Sequence, residues 1–335
     1  MKSRQRAFIG AQIVTLLFSV SLGLAAELKY EATHALKNDR LFLEVMDPNA
    51  ENRYYTGIRF SPVATVLRAE LDDEEYLFSA ADHNPLSESA GLAMEFDLSD
   101  WKGGPPGFAE AAMGEGFLKV GVGVLKKSTD TYLFFRPYEV LERPRTEATW
   151  KGDKAVFRQS CDGVRGYAYV LEAEVSLHDA EIRVLYRLKN TGTRPFSTEH
   201  YAHNFFRFAD VDGGLGYEVE FPFDFTARIP KTPIVQEGRT VRVVEPVTPK
   251  IKGAEAFISL TPDEAREESL LIRHLATGKQ IRAQVSRPVE RVTFHVNPRF
   301  VSPEQFVRIS LAPGESTEWV RTYHLEKRIP GAVEN

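Results

Sequence analysis

The sequence predicts an all-β protein, organised as one large sandwich of two curved antiparallel sheets. Three observations carry that expectation. Almost every apolar run is short, β-branched or aromatic, and bounded by turn residues, as strands are. The runs recur often at spacings of roughly ten residues, the rhythm of antiparallel β proteins. Helical periodicity is scarce across the 335 residues.

The N-terminus stands apart. Lys2, Arg4 and Arg6 precede an apolar stretch from Ala7 to about Leu24, which closes on Ala25-Ala26 before Glu27. A basic start, an apolar middle and a small-residue end describe a secretory signal peptide over residues 1–26, cut after Ala25 or Ala26. The stretch is near the lower limit for a membrane span and is interrupted by Gly10, Gln12, Ser19 and Ser21, so an uncleaved anchor is the competing expectation. A periplasmic or secreted location follows from cleavage, with no membrane association of the mature chain. The net charge is −5 and becomes more negative once the leader's three cations are lost. A mildly acidic exported chain is poorly suited to nucleic acid or to anionic membrane surfaces. Cys161 is the single cysteine, so no intrachain disulfide forms, and stability must come from a core that 43% hydrophobic content can supply.

In chain order, strands are expected at 40–46, 55–71, 117–125, 132–140, 155–159, 167–175 and 181–188. They continue at 241–244, 256–260, 280–285, 291–296, 306–311 and 318–325. Short helices are conceivable at 108–113 and at 262–268, the second capped by Thr261. The strongest loop signal, Lys102-Gly103-Gly104-Pro105-Pro106-Gly107, lies inside the β-rich region rather than between two cores. With no composition break, residues 27–335 read as a single domain, although the length alone would also hold two smaller β domains.

The chemistry concentrates in Glu199-His200-Tyr201-Ala202-His203-Asn204-Phe205-Phe206. It follows the alternating run 181–188 and the turn cluster 189–193, so it begins the next strand. Side chains on a strand sort by parity. Glu199, Tyr201, His203 and Phe205 therefore share one face, and His200, Ala202, Asn204 and Phe206 the other. Two histidines on opposite faces do not grip one metal through this segment. Tyr201 beside His203 is suited to proton transfer or to holding a polyhydroxy ligand, or equally to a hydrogen-bonded aromatic core.

Three other places bear comparison. Arg59, amid Tyr54-Tyr55-Thr56-Gly57-Ile58 and Phe60, needs a carboxylate or a ligand to offset its desolvation. His83, in Ala81-Asp82-His83-Asn84-Pro85 ahead of Gly91-Leu92-Ala93-Met94-Glu95-Phe96-Asp97, sits on a loop of the kind that lines ligand clefts, or is a solvated loop histidine. His295-Val296-Asn297-Pro298-Arg299-Phe300-Val301-Ser302-Pro303-Glu304 is the third, and reads equally as a strand running into a Pro-bounded turn. The sequence contains no G-x-S-x-G elbow, P-loop or H-E-x-x-H motif. Asp210-Val211-Asp212-Gly213-Gly214 lacks the third oxygen ligand and distal Glu of a calcium loop and reads as a turn. Cys161 reads as a core or turn residue rather than a nucleophile.

Taken together, Tyr55-Thr56-Gly57-Ile58-Arg59-Phe60-Ser61, 114–125, Leu188-Lys189-Asn190-Thr191-Gly192, Tyr201-Ala202-His203-Asn204-Phe205-Phe206 and Leu311-Ala312-Pro313-Gly314-Glu315 resemble the galactose mutarotase-like (aldose 1-epimerase-like) superfamily, in particular its exported members. The resemblance spans about residues 40 to 326. It implies a large antiparallel β supersandwich that binds carbohydrate and, where active, interconverts sugar anomers without metal or cofactor. By that resemblance His203, in His-x-aromatic-Phe, is the general acid. Arg59 and His83 are sugar contacts, and Tyr201, Asn204 and Asn297 lie with them in the substrate site. The superfamily's basic glutamate, often followed by Pro, has no exact counterpart: Asn297-Pro298 stands there, and Glu304, the nearest carboxylate, is the expected base, on the opposite side of the pyranose from His203.

Two rivals share the fold. A non-catalytic carbohydrate-binding module is favoured by Asn297 in place of a carboxylate. A polysaccharide lyase-like enzyme would use Tyr201 or His203 as base, with Asn204 and Arg59 neutralising a uronate; the acidic chain, with no basic groove evident in its sequence, counts against it.

Overall fold

The computed structural model describes residues 28–97, 103–210, 213–229, 233–248, 256–262 and 269–328. The expected signal peptide, residues 1–26, lies outside the described residues. Among the described residues there is no helix, and every strand pairing is antiparallel. No helix there is long and apolar enough to cross a membrane.

Two large sheets dominate. The first runs, in spatial order, Thr33–Lys37, Leu41–Met46, Val66–Leu71, Leu92–Asp97, Phe196–Asn204, Val301–Leu311, Arg291–Val296, Ala256–Pro262 and Phe225–Arg228, with Glu74–Glu75 paired off the main path. The second runs Ile234–Glu237, Thr240–Val243, Tyr217–Glu220, Ser269–His274, Lys279–Val285, Ser316–Lys327, Glu181–Asn190, Tyr167–His178, Lys154–Val164 and Arg145–Lys151. A small third sheet joins Gly116–Lys119, Gly123–Lys126 and Val140–Glu142.

Sequence alternation explains the second sheet. Glu181–Asn190 buries Ile182, Val184, Tyr186 and Leu188 and turns the charged residues between them outward. Those apolar residues meet the first sheet in one continuous core. Polar links cross it too. Trp319 Nε1 donates to His200 Nδ1 at 3.0 Å, and Tyr323 donates through its hydroxyl to Asn204 Oδ1 at 3.2 Å.

The central strands of the first sheet behave differently. Phe196–Asn204 and the first half of Val301–Leu311 are buried on both faces. One face meets the second sheet. The other is covered by loops, forming a second apolar cluster that includes Tyr54, Tyr55, Phe60, Phe78, Phe205 and Phe300. Gly91 admits the neighbouring strand closely: its φ is +64°, and an added Cβ would lie 1.8 Å from the Val66 carbonyl oxygen. Side chains on this loop-covered face form the floor of a cleft.

Several expected elements differ. Residues 108–113 form turns, with Phe108 N–H donating to Pro105 O and Ala111 N–H to Gly107 O, rather than a helix. Pro105 and Pro106 fix a turn there, and a buried Phe108 anchors it. In the second expected helix, Pro262 ends the strand Ala256–Pro262, and the rest lies outside the described residues. Of 55–71 only Val66–Leu71 is strand, and of 132–140 only Val140, because Pro137 and the turn from Leu133 to Arg136 break the pairing.

Candidate functional site

The parity expected of the histidine run is present. His200 faces the core, fully buried among Phe96, Tyr186 and Trp319, with its Nδ1 accepting from Trp319 and Arg321. Burial and the nearby Arg321 cation hold its pKa well below that of a free histidine, so it is a neutral structural residue. Asn204 also turns to the core. Its amide donates to Pro303 O at 2.6 Å and its oxygen accepts from Tyr323, so it is not a contact in the cleft.

His203 points the other way and forms part of the wall of a cleft of about 190 Å³, with Arg59, His83, His295 and Asn297 also lining it. Its ring stacks on Phe205 with centroids 4.3 Å apart and meets Phe60 and Phe300 edge-on. His203 Nε2 lies 3.3 Å from Glu304 Oε1, and each side chain is only 6% exposed. Ser302 bridges the pair: its Oγ lies 3.3 Å from His203 Nδ1 and donates to Glu304 Oε1 at 3.2 Å, while accepting from Asn204 N–H. The alternation of Val301–Leu311 brings Ser302 and Glu304 to the same face as His203.

Burial sets the protonation of both groups. It pushes the Glu304 carboxyl up to about 8, partly opposed by the Arg59 cation and the Ser302 hydroxyl. It pulls His203 well below its ordinary value, helped by Arg59 and His295. At neutral pH the pair therefore rests as a neutral imidazole beside a protonated carboxyl.

Arg59 has the carboxylate its surroundings demand. Its Nε donates to Glu95 Oε2 at 2.8 Å and its Nη2 to the Tyr201 hydroxyl at 2.8 Å, leaving the side chain 28% exposed. Glu95 is completely buried and also takes Lys119 Nζ at 2.8 Å and the Tyr201 hydroxyl. Burial alone would raise the Glu95 carboxyl; Lys119 and Arg59 reverse this and hold it below the ordinary range. Tyr201 is buried against Phe306, and burial beside Glu95 keeps its phenol protonated far above neutrality. It holds Arg59 in place and cannot serve as a base.

His83 stacks on Tyr54 with centroids 3.7 Å apart and donates from Nε2 to the Tyr54 carbonyl at 2.7 Å. Its Nδ1 is left as a buried acceptor without a protein partner. Asn297 lies on the wall, but its side-chain oxygen accepts from the Arg299 and Phe300 N–H groups and closes the turn. The structure thus brings His203, Glu304, Arg59 and His83 to one region, and Tyr201 reaches it through Arg59. Glu95, Ser302 and His295 complete the set; all three lie in stretches singled out from the sequence, 91–97 and 295–304, though none of them was named there as a site residue. Cys161 is buried, its thiol pushed up to about 12 by desolvation, as suits a core residue.

A cation would find donors here. One ligand atom from each of His203, His295 and Glu304 lies within 4.8 Å of the others, a two-His, one-carboxylate set of the type zinc accepts. Other combinations of His, Cys, Asp and Glu do not converge this way among the described residues.

No family model and no curated protein sequence matches the chain. Solved structures do. The Slr1438 protein from Synechocystis sp. PCC 6803 superposes with a TM-score of 0.57 at 10% identity, covering 91% of this chain and 100% of its own. A galactose mutarotase related enzyme from Lactobacillus acidophilus gives 0.55 at 10% identity, covering 88% and 97%. Galactose 1-epimerase from Lactobacillus acidophilus NCFM gives 0.51 at 12% identity, covering 88% and 94%. These likenesses run over nearly the whole of each molecule, at identities that speak for the fold alone. With its two large antiparallel sheets and loop-covered cleft, the chain has the galactose mutarotase-like fold.

Proposed function

We propose that this is an exported carbohydrate-binding protein that exchanges sugar anomers at C1, an aldose 1-epimerase-like enzyme. The observation that carries the reading is the 3.3 Å contact between His203 Nε2 and Glu304 Oε1, beside Arg59 at the cleft. Anomer exchange needs a base for the O1 proton and an acid for the ring oxygen, and both oxygens are bonded to one carbon. Two adjacent groups of complementary protonation can serve them together.

The sequence expectation had His203 as acid and Glu304 as base, on opposite sides of the sugar. Their contact favours a same-side relay. The resting protonation favours the reverse first step: His203 takes the O1 proton while the Glu304 carboxyl protonates the ring oxygen. The C1–O5 bond breaks as C1=O1 forms, leaving an imidazolium beside a carboxylate. Rotation about C1–C2 and return of both protons closes the other anomer. A contact of 3.3 Å is longer than a good charge-assisted hydrogen bond, which suits a pair that exchanges its partner for substrate oxygens. Arg59, 28% exposed on the cleft wall, supports the reading as a contact for sugar hydroxyls, with His83 beside it. None of these steps calls for a cofactor.

The test is anomer exchange by NMR on freshly dissolved sugars, comparing wild type with His203→Ala and Glu304→Gln. Exchange above the buffer rate should fall at least about 100-fold in each variant, the scale of general acid–base catalysis. A wild type indistinguishable from buffer with every sugar would refute the catalytic reading. A binding module without turnover is the second reading. The near-complete burial of both groups favours it, and calorimetric sugar binding without exchange would establish it.

A further inference from the structure

Beside the His203 cleft lies a larger cavity of about 590 Å³, and Arg59 and Ser87 line both. Its outer wall comes from residues 134–143; the strand expected from sequence over 132–140 is a loop as far as residue 139. Phe134 and Phe135 meet edge-on with centroids 5.3 Å apart and remain 38% and 68% exposed. Arg59 sits 4.6 Å from the Phe134 ring, so the catalytic-side arginine also backs this platform. Arg136 and Arg143 join Arg59 in the lining, and no carboxylate does.

The segment's own acids are engaged elsewhere. Glu139 holds Lys126 at 2.8 Å, and Glu142 lies against Cys161. Arg143 stands near Arg53, whose guanidinium burial and this second cation push toward a lower pKa, with Asp47 opposing. Guanidiniums that line one cavity attract an anion. Exposed aromatic rings offer flat apolar faces on which sugar rings stack. A basic groove is thus assembled by folding, although the chain as a whole is acidic.

We propose that the cleft takes an acidic oligosaccharide: its terminal sugar enters the His203 cleft, and following uronate-type rings lie on Phe134 and Phe135 with carboxylates toward Arg136 and Arg143. This rests on the carbohydrate reading above for the first sugar. The aromatic platform calls for rings beyond that sugar, and the arginines call for negative charge on them.

The test is calorimetric binding of four probes to the full mature chain: a galacturonate trimer, galacturonate, neutral maltotriose and glucose 6-phosphate. The acidic trimer should bind at least about tenfold more tightly than maltotriose at low salt, with the advantage shrinking as salt screens the arginines. It should also exceed the two short anions by a similar factor. In Arg136→Gln/Arg143→Gln the trimer's advantage over maltotriose should collapse, and Phe135→Ala should weaken both trimers. Thermal melts establish that the variants fold. Equal binding of acidic and neutral trimers, or an advantage that survives in the double arginine variant, overturns the proposal. So does glucose 6-phosphate binding as tightly as the acidic trimer. The outcome separates from the catalytic reading: anomer exchange without acidic preference sinks only this inference. Trimer preference without exchange on any sugar sinks only the enzyme.

Discussion

His203 Nε2 and Glu304 Oε1 face each other at 3.3 Å inside a cleft wall, both nearly excluded from water. Desolvation drives them toward neutrality in opposite senses, the carboxyl up to about 8 and the imidazole down. The pH dependence follows. As the proposed donor, Glu304 must be protonated, so kcat/KM should fall about tenfold per pH unit above about 8. His203, as acceptor, must be neutral, so a second fall is expected on the acid side. Measured pH–rate profiles decide this; a flat profile from 7 to 10 would remove Glu304 as the donor.

The same raised pKa ties stability to pH. Glu304 ionises near its ordinary 4.5 in the unfolded chain and near 8 in the folded one. The unfolded state therefore releases a proton that the folded state keeps, and stability should decline as pH rises from about 4.5 toward 8. Glu304→Gln cannot lose that proton. Its melting temperature relative to wild type should rise between pH 5 and pH 8; a difference independent of pH would contradict the shift.

Glu95 is the anchor of Arg59, and it is fully buried between Arg59 and Lys119. Glu95→Gln removes the charge that both cations share and should cost about 3–5 kcal/mol, the scale for breaking a buried ion pair. Denaturant unfolding measures that loss. Sugar affinity, measured below the melting transition, should fall with it because Arg59 loses its support. An unchanged stability would show that the network is dispensable.

Zinc should inhibit rather than assist. His203, His295 and Glu304 present three donors to a cation, but occupying them removes the acid–base pair from the sugar. Low-micromolar zinc is expected to slow anomer exchange in competition with sugar, less so in His295→Ala, and chelation should leave the metal-free enzyme's rate unchanged. Activity lost on chelation and restored by zinc would point instead to metal-assisted chemistry.

Export makes a separate prediction. Mass analysis of the protein from a bacterial periplasmic fraction should find the mature chain beginning at Ala26 or Glu27. An intact Met1 in the membrane fraction would show the leader retained as an anchor.

How far the site could be read from sequence differs residue by residue. The facing of His203 and Tyr201 away from His200 was legible, because strand parity is a local property. The need of Arg59 for a carboxylate was legible too, but not which one: Glu95 lies 36 positions away and meets it only through sheet pairing. Ser302 lay inside the 295–304 stretch without standing out in it, since a lone serine before a proline has no pattern to distinguish it. Asn204 was expected in the site because it shares a motif with His203, although strand parity already set it on the opposite face, where it lies. The arginine groove was invisible, as Arg59, Arg136 and Arg143 converge only when the 134–143 segment folds back.

Lys119 adds a connection between the two ends of the cleft. Its buried ammonium donates both to Glu95 and to the Tyr132 hydroxyl, two residues before Phe134. Glu95 in turn fixes Arg59 beside His203. One carboxylate is therefore the common mooring of the loop that carries the aromatic platform and of the cation that flanks the proton relay. On the acid–base and oligosaccharide readings proposed above, the far rings of a ligand and its first ring would then rest on one buried ion network.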